Sequence, residues 1–163
     1  IRDRSYKWQI FAASLALVIL SYQMFATVYS TSMQNSRMAD VNTYSYARQG
    51  YRRIALEWLN ASEEFRHQAK VRAYSANSCA WSLILHVCTL IALVLREEVF
   101  WFIPFVASSL FLLLAILIYT CNLDWSWFNK LFTARLGVTP SFPRWPEIEK
   151  LIKDVGLDVP NTR

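Results

Sequence analysis

The residue whose side chain could most readily take part in chemistry is His86, because it stands inside a long apolar segment. From Ala73 to Leu95 the only other ionisable groups are two thiols and Tyr74. An ionisable group in such a segment is a candidate functional residue by default. A neutral imidazole can donate and accept an interhelical hydrogen bond, and we favour that role. The alternative is a haem or chlorophyll ligand or a proton relay; His67, the only other histidine, lies in a polar region and does not supply a second ligand.

Other groups with reactive potential are scattered. Cys79, Cys88 and Cys121 form no Cys-x-x-Cys pair and have no histidine cluster beside them, so they predict buried free thiols. Glu97, Glu98 and Asp124 stand at the edges of apolar segments without a nucleophile and base grouped around them. The sequence therefore predicts no enzyme, no cofactor, no metal site and no small-molecule substrate.

The elements that would position His86 are membrane spans. Apolar residues make up 55% of the 163-residue chain, and the charged 18% is segregated. Charges are absent from Trp8–Ser36 and Val99–Leu123, and from the segment around His86. Each gap exceeds the roughly 20 residues needed to cross the hydrocarbon core. We expect an all-α integral membrane protein with spans near 8–28, 76–95 and 99–123.

The start of the chain permits two further interpretations. The apolar stretch from Ile10 to Val28 is longer than a signal-peptide core and lacks a clear cleavage site, so a span is favoured over a signal peptide. A cleaved organellar presequence upstream of Ile1 would explain the missing Met.

Spans two and three should form a tight antiparallel hairpin, because only residues 96–98 separate them. Counting eleven residues from Glu97 in each direction reaches His86 and Ser108. The hairpin therefore predicts an interhelical polar contact between His86 and Ser108 or Ser109.

Residues 29–40 are polar and predict a loop, and a long amphipathic helix should follow from Val41 into span two without a stop. Gly50 favours a local break within it. The apolar stripe of this helix recurs at spacings of three and four. It predicts a partner-binding face that includes Tyr51, Ile54, Trp58 and Phe65. Acidic residues dilute the basic ones, so nucleic acid is not an expected partner.

The C-terminal part combines an interfacial anchor, a proline-rich linker and a short helix. Trp125 and Trp127, with Trp8 and Trp101, are expected at the membrane interface. Pro146 should begin the short helix and Gly156 should end it. Its apolar face is predicted to dock on a partner and consists of Ile148, Leu151, Ile152 and Val155.

The chain thus divides into residues 1–35 (span one and polar loop), 36–75 (amphipathic helix), 76–123 (hairpin) and 124–163 (anchor, linker and helix). Loop charge is +2 for the N-terminal segment, +3 for 29–78, −1 for the turn and +1 for 121–163. An acidic turn outside and a basic long loop and tail inside satisfy the positive-inside rule, whereas the basic N-terminal segment contradicts it. The orientation of span one therefore stays open.

Residues 52–135 combine a charged amphipathic helix (Arg52-Arg53-Ile54 through Asn60-Ala61-Ser62-Glu63-Glu64-Phe65), a tight two-span hairpin and a tryptophan-containing exit. This half of the chain resembles the SLATT-type two-span effector domains of bacterial defence systems. The resemblance implies oligomers that perforate membranes; span one and the proline-rich tail depart from it.

Three functional hypotheses follow. The favoured one is a non-catalytic structural or accessory subunit of a larger membrane complex, with other membrane subunits and lipids as partners. The alternatives are a homo-oligomeric effector or pore and an electron- or proton-transfer subunit using His86. A bacterial inner membrane or an organellar membrane is the expected location.

Overall fold

Four helices make up almost all of the chain that can be described. The computed structural model describes residues 2–95, 100–123 and 144–156. Within these ranges there is no strand. The helices are α1 (Arg2–Arg48), α2 (Arg52–Val94), α3 (Phe102–Cys121) and α4 (Pro146–Val155).

Helices α1, α2 and α3 are each long and apolar enough to cross a membrane, which confirms the expected number of such segments. The 47 residues of α1 and the 43 residues of α2 correspond to about 70 and 65 Å of helix. A hydrocarbon core of about 30 Å needs less than half of either length. Each of these helices therefore continues well beyond its apolar segment.

The predicted loop at residues 29–40 is wrong, because α1 runs through it without interruption to Arg48. Serine, threonine and asparagine lower helix propensity only modestly, whereas glycine and proline end helices. Neither glycine nor proline occurs before Gly50. Helix α1 therefore continues across the expected boundary between residues 35 and 36.

The break expected at Gly50 is confirmed, and it divides the predicted amphipathic helix between α1 and α2. Gly50 has φ +87°, a left-handed conformation that glycine adopts without a Cβ penalty. The N–H of Gly50 bonds the Ala47 carbonyl at 3.2 Å, and the N–H of Tyr51 bonds the Tyr46 carbonyl at 3.0 Å. This pair of bonds is a Schellman motif, which satisfies the last carbonyl groups of α1. Helix α2 then runs into the second apolar segment without a stop, as predicted.

The described chain falls into two compact units. The three-helix unit contains residues 2–27, 71–95 and 100–123. The second unit contains residues 28–70 and 144–156. We call it the hairpin unit after the turn at Gly50 between α1 and α2; it is distinct from the predicted hairpin of spans two and three. In the three-helix unit, Val18 and Phe25 of α1 pack with Ala76 and Cys79 of α2, and the cluster is completed by Leu112 and Ala115 of α3.

In the hairpin unit, α4 packs against the end of α1 and the beginning of α2. Ile148 and Ile152 of α4 are buried against Ala47, Ala55 and Leu59. Helix α4 begins at Pro146 and is closed by Gly156 at φ +68°, so both predicted ends are confirmed.

Candidate functional site

A ladder of serine hydroxyls joins α2 to α3 in the three-helix unit. Each serine stands on α2 and donates to a backbone carbonyl of α3. The pairs are Ser75 with Ala115 (3.0 Å), Ser78 with Phe111 (2.7 Å) and Ser82 with Ser108 (2.9 Å). Because residue numbers rise on α2 as they fall on α3, the two helices are antiparallel, as the hairpin prediction requires.

Small side chains make this close approach possible. Ala73, Ala76, Cys79 and Ala80 are fully buried on the same helix as the serines. In apolar surroundings, helices associate through small residues and interhelical hydrogen bonds. The ladder was not predicted from the sequence, although Ser75, Ser78 and Ser82 share one helix face.

His86 continues the ladder and adds α1 to it. Its side chain is 1% exposed. Nε2 lies 2.7 Å from Ser14 Oγ on α1, and Nδ1 lies 2.5 Å from Ser108 Oγ on α3. Nδ1 also lies 2.9 Å from the Ser82 carbonyl oxygen of its own helix. His86 is therefore the point at which all three helices share one polar contact.

The tautomer of a neutral His86 ring follows from these partners. A carbonyl oxygen can only accept, so the 2.9 Å contact with Ser82 requires a proton on Nδ1. In a neutral imidazole, Nε2 then carries the lone pair and accepts from the Ser14 hydroxyl. Ser108 Oγ can accept from Nδ1–H and donate to the Ser82 carbonyl at 3.1 Å. Every polar atom of this group has a partner.

The two serines that the sequence analysis placed near His86 behave differently. Ser108 contacts the imidazole, whereas Ser109 donates to the Phe105 carbonyl of its own helix at 3.0 Å. Adjacent residues on a helix point about 100° apart, so only one of them can face α2.

The geometry around His86 also bears on its candidacy as a cofactor ligand. A haem or chlorophyll metal would bind the lone pair of a ring nitrogen, and Ser14 occupies that direction at Nε2. The rings of Phe11 and Phe105 lie 5.8 and 6.2 Å from the imidazole centroid. These neighbours fit a hydrogen-bonded packing role better than metal ligation.

A second polar site lies in the hairpin unit, around Asp40. Ser62 donates a hydrogen bond to Asp40 Oδ1, and Arg66 Nη2 lies 3.2 Å from Oδ2. Arg144 Nε lies 3.6 Å from Oδ1, and its Nη2 pairs with Glu63 Oε1. We name Asp40, Glu63, Arg66 and Arg144 the arginine–carboxylate cluster. It joins α1, α2 and the residue pair that precedes α4.

This cluster is buried, unlike an ordinary surface ion pair. The side chains of Asp40 and Arg144 are 4% and 7% exposed. Burial lowers the pKa of the Arg144 guanidinium, while Asp40 and Glu149 act in the opposite direction. Removing one partner from such a group leaves a desolvated charge without compensation.

Sequence reasoning missed the cluster. Asp40 was assigned to a loop, and no partner was predicted for Glu63 or Arg66. Arg144 is 104 residues from Asp40 and lies beside the predicted linker, so no local period connects them. The available signal was the row of small residues at 32, 36, 39, 43 and 47, all buried, which marks a helix face packed at close range.

The predicted docking face of α4 is covered by the chain itself, which corrects its assignment to a partner. Ile148 and Ile152 are buried, and Leu151 and Val155 are half-buried in the same contact. Arg52 adds a hydrogen bond of 2.9 Å to the Gly156 carbonyl.

The predicted stripe on α2 is displaced by one residue from the buried face. Ala55, Leu59 and Ser62 are fully buried, whereas Tyr51 and Ile54 are exposed. Trp58 and Phe65 are half-buried. The break at Gly50 interrupts the regular helical spacing between α1 and α2. A stripe that is extrapolated across this break therefore falls on residues beside the buried face of α2 and not on the buried face itself. This flank of α2 is still available to a partner.

The tryptophans expected at a membrane interface are described only in part. Trp8 is exposed, and Lys7 Nζ lies 5.7 Å from the ring centroid of Trp101. Trp125 and Trp127 lie outside the described residues, as do the turn at 96–98 and the part of the proline-rich linker that precedes Arg144.

Comparison with protein families, with curated proteins and with solved structures gave no match for this chain.

Proposed function

We propose that the chain is an integral membrane protein with three spans, and that it acts as a non-catalytic structural or accessory subunit of a larger membrane complex. The observation that carries this proposal is the distribution of side chains in the three-helix unit. The serines of the ladder and His86 face inward and are hydrogen-bonded within the unit, while many large apolar residues face outward.

The outward residues come from all three helices and are strongly exposed. They include Leu17, Leu20 and Met24 of α1, Val87, Ile91 and Val94 of α2, and Leu110, Leu113 and Leu117 of α3. A continuous apolar exterior is unfavourable in water and matches a lipid environment. The hydrogen-bonded interior matches the same environment, because lipid offers no alternative partner for a polar group.

Three crossings divide the chain between two sides of a membrane. The N-terminus and the α2–α3 turn would share one side, and residues 28–70 and α4 the other. The packing of α4 within the hairpin unit and the Lys7–Trp101 contact in the three-helix unit are consistent with this division. Thirteen of the 17 Lys and Arg residues lie in 29–78 and 121–163. The positive-inside rule then places the hairpin unit on the inner side.

An accessory role is supported by the way the buried polar groups are used. The hydroxyl protons of the serine ladder and both ring nitrogens of His86 are engaged in helix packing. The exposed pair Tyr51 and Ile54 offers a surface for another subunit.

Native mass measurement of the protein extracted in mild detergent tests this role. We expect one copy of the chain among unlike subunits. A ring of identical copies would contradict the accessory role. That result would support the second candidate, a homo-oligomeric effector built on α2 and α3. The resemblance to SLATT-type domains and the exposed flank of α2 favour this candidate.

Absorbance spectroscopy of the same preparation tests the remaining alternative, an electron- or proton-transfer subunit that uses His86. A packing role for His86 predicts no haem or chlorophyll band that depends on this residue. A band that disappears in a His86→Leu variant would instead identify an electron-transfer subunit.

A further inference from the structure

A small cavity opens beside the arginine–carboxylate cluster in the hairpin unit. Its volume is about 20 Å³, enough for at least one water-sized group. Its lining includes Ser36, Arg37, Asp40, Arg66, Arg144 and Trp145. With Met33, seven residues line the cavity, and three of them carry guanidinium groups, an unusual concentration of positive charge for so small a volume.

The charges of the side chains that line the cavity do not cancel. Asp40 and Glu63 are opposed by Arg66 and Arg144, with which they form ion pairs. Arg37 is exposed at the opening and forms no salt bridge with a carboxylate in the described part of the chain. The lining itself holds three guanidinium groups and one carboxylate. Glu63 and Glu149, which lie outside the lining, compensate Arg144. Arg37 is therefore the cation that a bound anion would neutralise.

The donor chemistry specifies the kind of anion. A guanidinium presents five N–H donors in a planar fork that matches the oxygens of a phosphate. Ser36 also lines the cavity, but its hydroxyl already donates to the Ser62 carbonyl at 3.4 Å. Arg144 is held in place by its burial and by its pairs with Asp40 and Glu63, so the site is preorganised. The Asp40 carboxylate also lines the cavity, but Ser62 and the two arginines already engage its oxygens.

We propose that this cavity binds a phosphate group, with Arg37 as the residue that supplies the uncompensated charge. One oxygen of the phosphate would enter the cavity between Arg66 and Arg144, and the rest would lie at the opening beside Arg37. The group could belong to free phosphate or to the headgroup of an anionic lipid, since both present the same oxygens.

Thermal unfolding of the full-length chain in a neutral detergent tests the first source. We expect inorganic phosphate to raise the melting temperature in a saturable manner at constant ionic strength, with sodium chloride as the reference. Arg37→Gln should weaken the apparent affinity about tenfold, the loss expected for one charge-assisted hydrogen bond. The substitution breaks no ion pair, so the variant should fold.

Arg53→Gln provides the matched control. Arg53 stands in the same unit, is 94% exposed and lies outside the cavity. Its replacement removes the same charge and should leave the phosphate response unchanged.

A second experiment, in lipid nanodiscs, tests whether the phosphate group belongs to the headgroup of an anionic lipid. The chain is placed in phosphate-free nanodiscs of phosphatidylcholine with or without phosphatidic acid. Stabilisation by phosphatidic acid that Arg37→Gln abolishes, without a response to free phosphate, identifies a lipid headgroup. The proposal is overturned if neither source stabilises the protein, if Arg37→Gln responds like the wild type, or if both arginine variants lose the response equally.

Discussion

The Ser14 hydroxyl lies 2.7 Å from Nε2 of His86, a contact that links α1 to α2 across 72 positions of sequence. The same imidazole reaches Ser108 of α3 through Nδ1. A single side chain thus fixes the position of the first apolar helix against the other two. Span one was convincing from its length but had no identified partner in the sequence, and this contact supplies one.

Replacement of His86 with leucine should destabilise the three-helix unit by about 1–2 kcal/mol. Interhelical hydrogen bonds in membrane proteins contribute about 0.6 kcal/mol each on average, with a maximum near 1.7. The imidazole makes such contacts with two helices. Unfolding in increasing SDS, followed by circular dichroism, measures the change.

Leu110→Ala is the control, because Leu110 is exposed on the outer face of α3. Its effect should be clearly smaller than that of His86→Leu. In a double-mutant cycle, Ser14→Ala and His86→Leu should be non-additive. Strict additivity would show that the Ser14 contact does not contribute.

Asp40→Asn should be far more damaging than an ordinary surface change. The substitution keeps the shape of the side chain but leaves Arg144 and Arg66 without their shared counter-charge. Breaking a buried pair in this way costs about 3–5 kcal/mol. The free energy of unfolding of the hairpin unit, followed by hydrogen exchange of its helical amides, should fall accordingly.

Glu57→Gln is the comparison for Asp40→Asn. Glu57 pairs with Arg53 at 3.7 Å on the exposed surface of α2. Exposed pairs contribute less than about 1 kcal/mol. Similar losses in the two variants would mean that Asp40 is better solvated than its 4% exposure indicates.

The contrast between His86 and Asp40 shows what the sequence could predict. That His86 lies opposite Ser108 can be predicted by counting residues along two antiparallel helices joined by a short turn. The sequence near the turn is sufficient for this prediction. The apolar helices follow equally directly from gaps in charge. Asp40 depends on Arg144, whose approach is determined by the packing of α4 and not by any sequence period.

The extent of α1 was mispredicted for a related reason. A polar segment resembles a loop when its hydrophobic content is considered alone. Here Ser32, Ser36 and Thr43 are buried because they face a neighbouring helix at close range, not because they are apolar. Helix continuity depended on the absence of glycine and proline before Gly50.

Ile152→Ala should release α4 from its site without unfolding the rest of the chain. Truncating a buried isoleucine costs about 2–5 kcal/mol. Amide hydrogen exchange in α4 should therefore accelerate by about a hundredfold or more. Lys150→Ala, at an exposed position of the same helix, should leave the exchange rates unchanged. Equal protection in both variants would refute the docking of α4 through this face.

Gly50→Ala should destabilise the hairpin unit through the backbone alone. No heavy atom beyond its immediate neighbours lies within 4 Å of a Cβ added at this position, so the substitution creates no clash. The left-handed conformation costs an ordinary residue about 1–2 kcal/mol. Gly50→Asn should cost less, because asparagine tolerates this conformation. Equal stability of glycine, asparagine and alanine variants would contradict the Schellman ending of α1.

The account rests on three crossings of a membrane, and labelling of single cysteines in sealed vesicles tests them most directly. The three native cysteines are replaced with alanine, and one cysteine is introduced at Tyr6, Phe100, Asn60 or Lys150, all exposed positions. We predict that a membrane-impermeant maleimide reaches Tyr6→Cys and Phe100→Cys from one side and Asn60→Cys and Lys150→Cys from the other. Labelling of all four from the same side, or recovery of the chain in the aqueous fraction, would contradict the three-span arrangement.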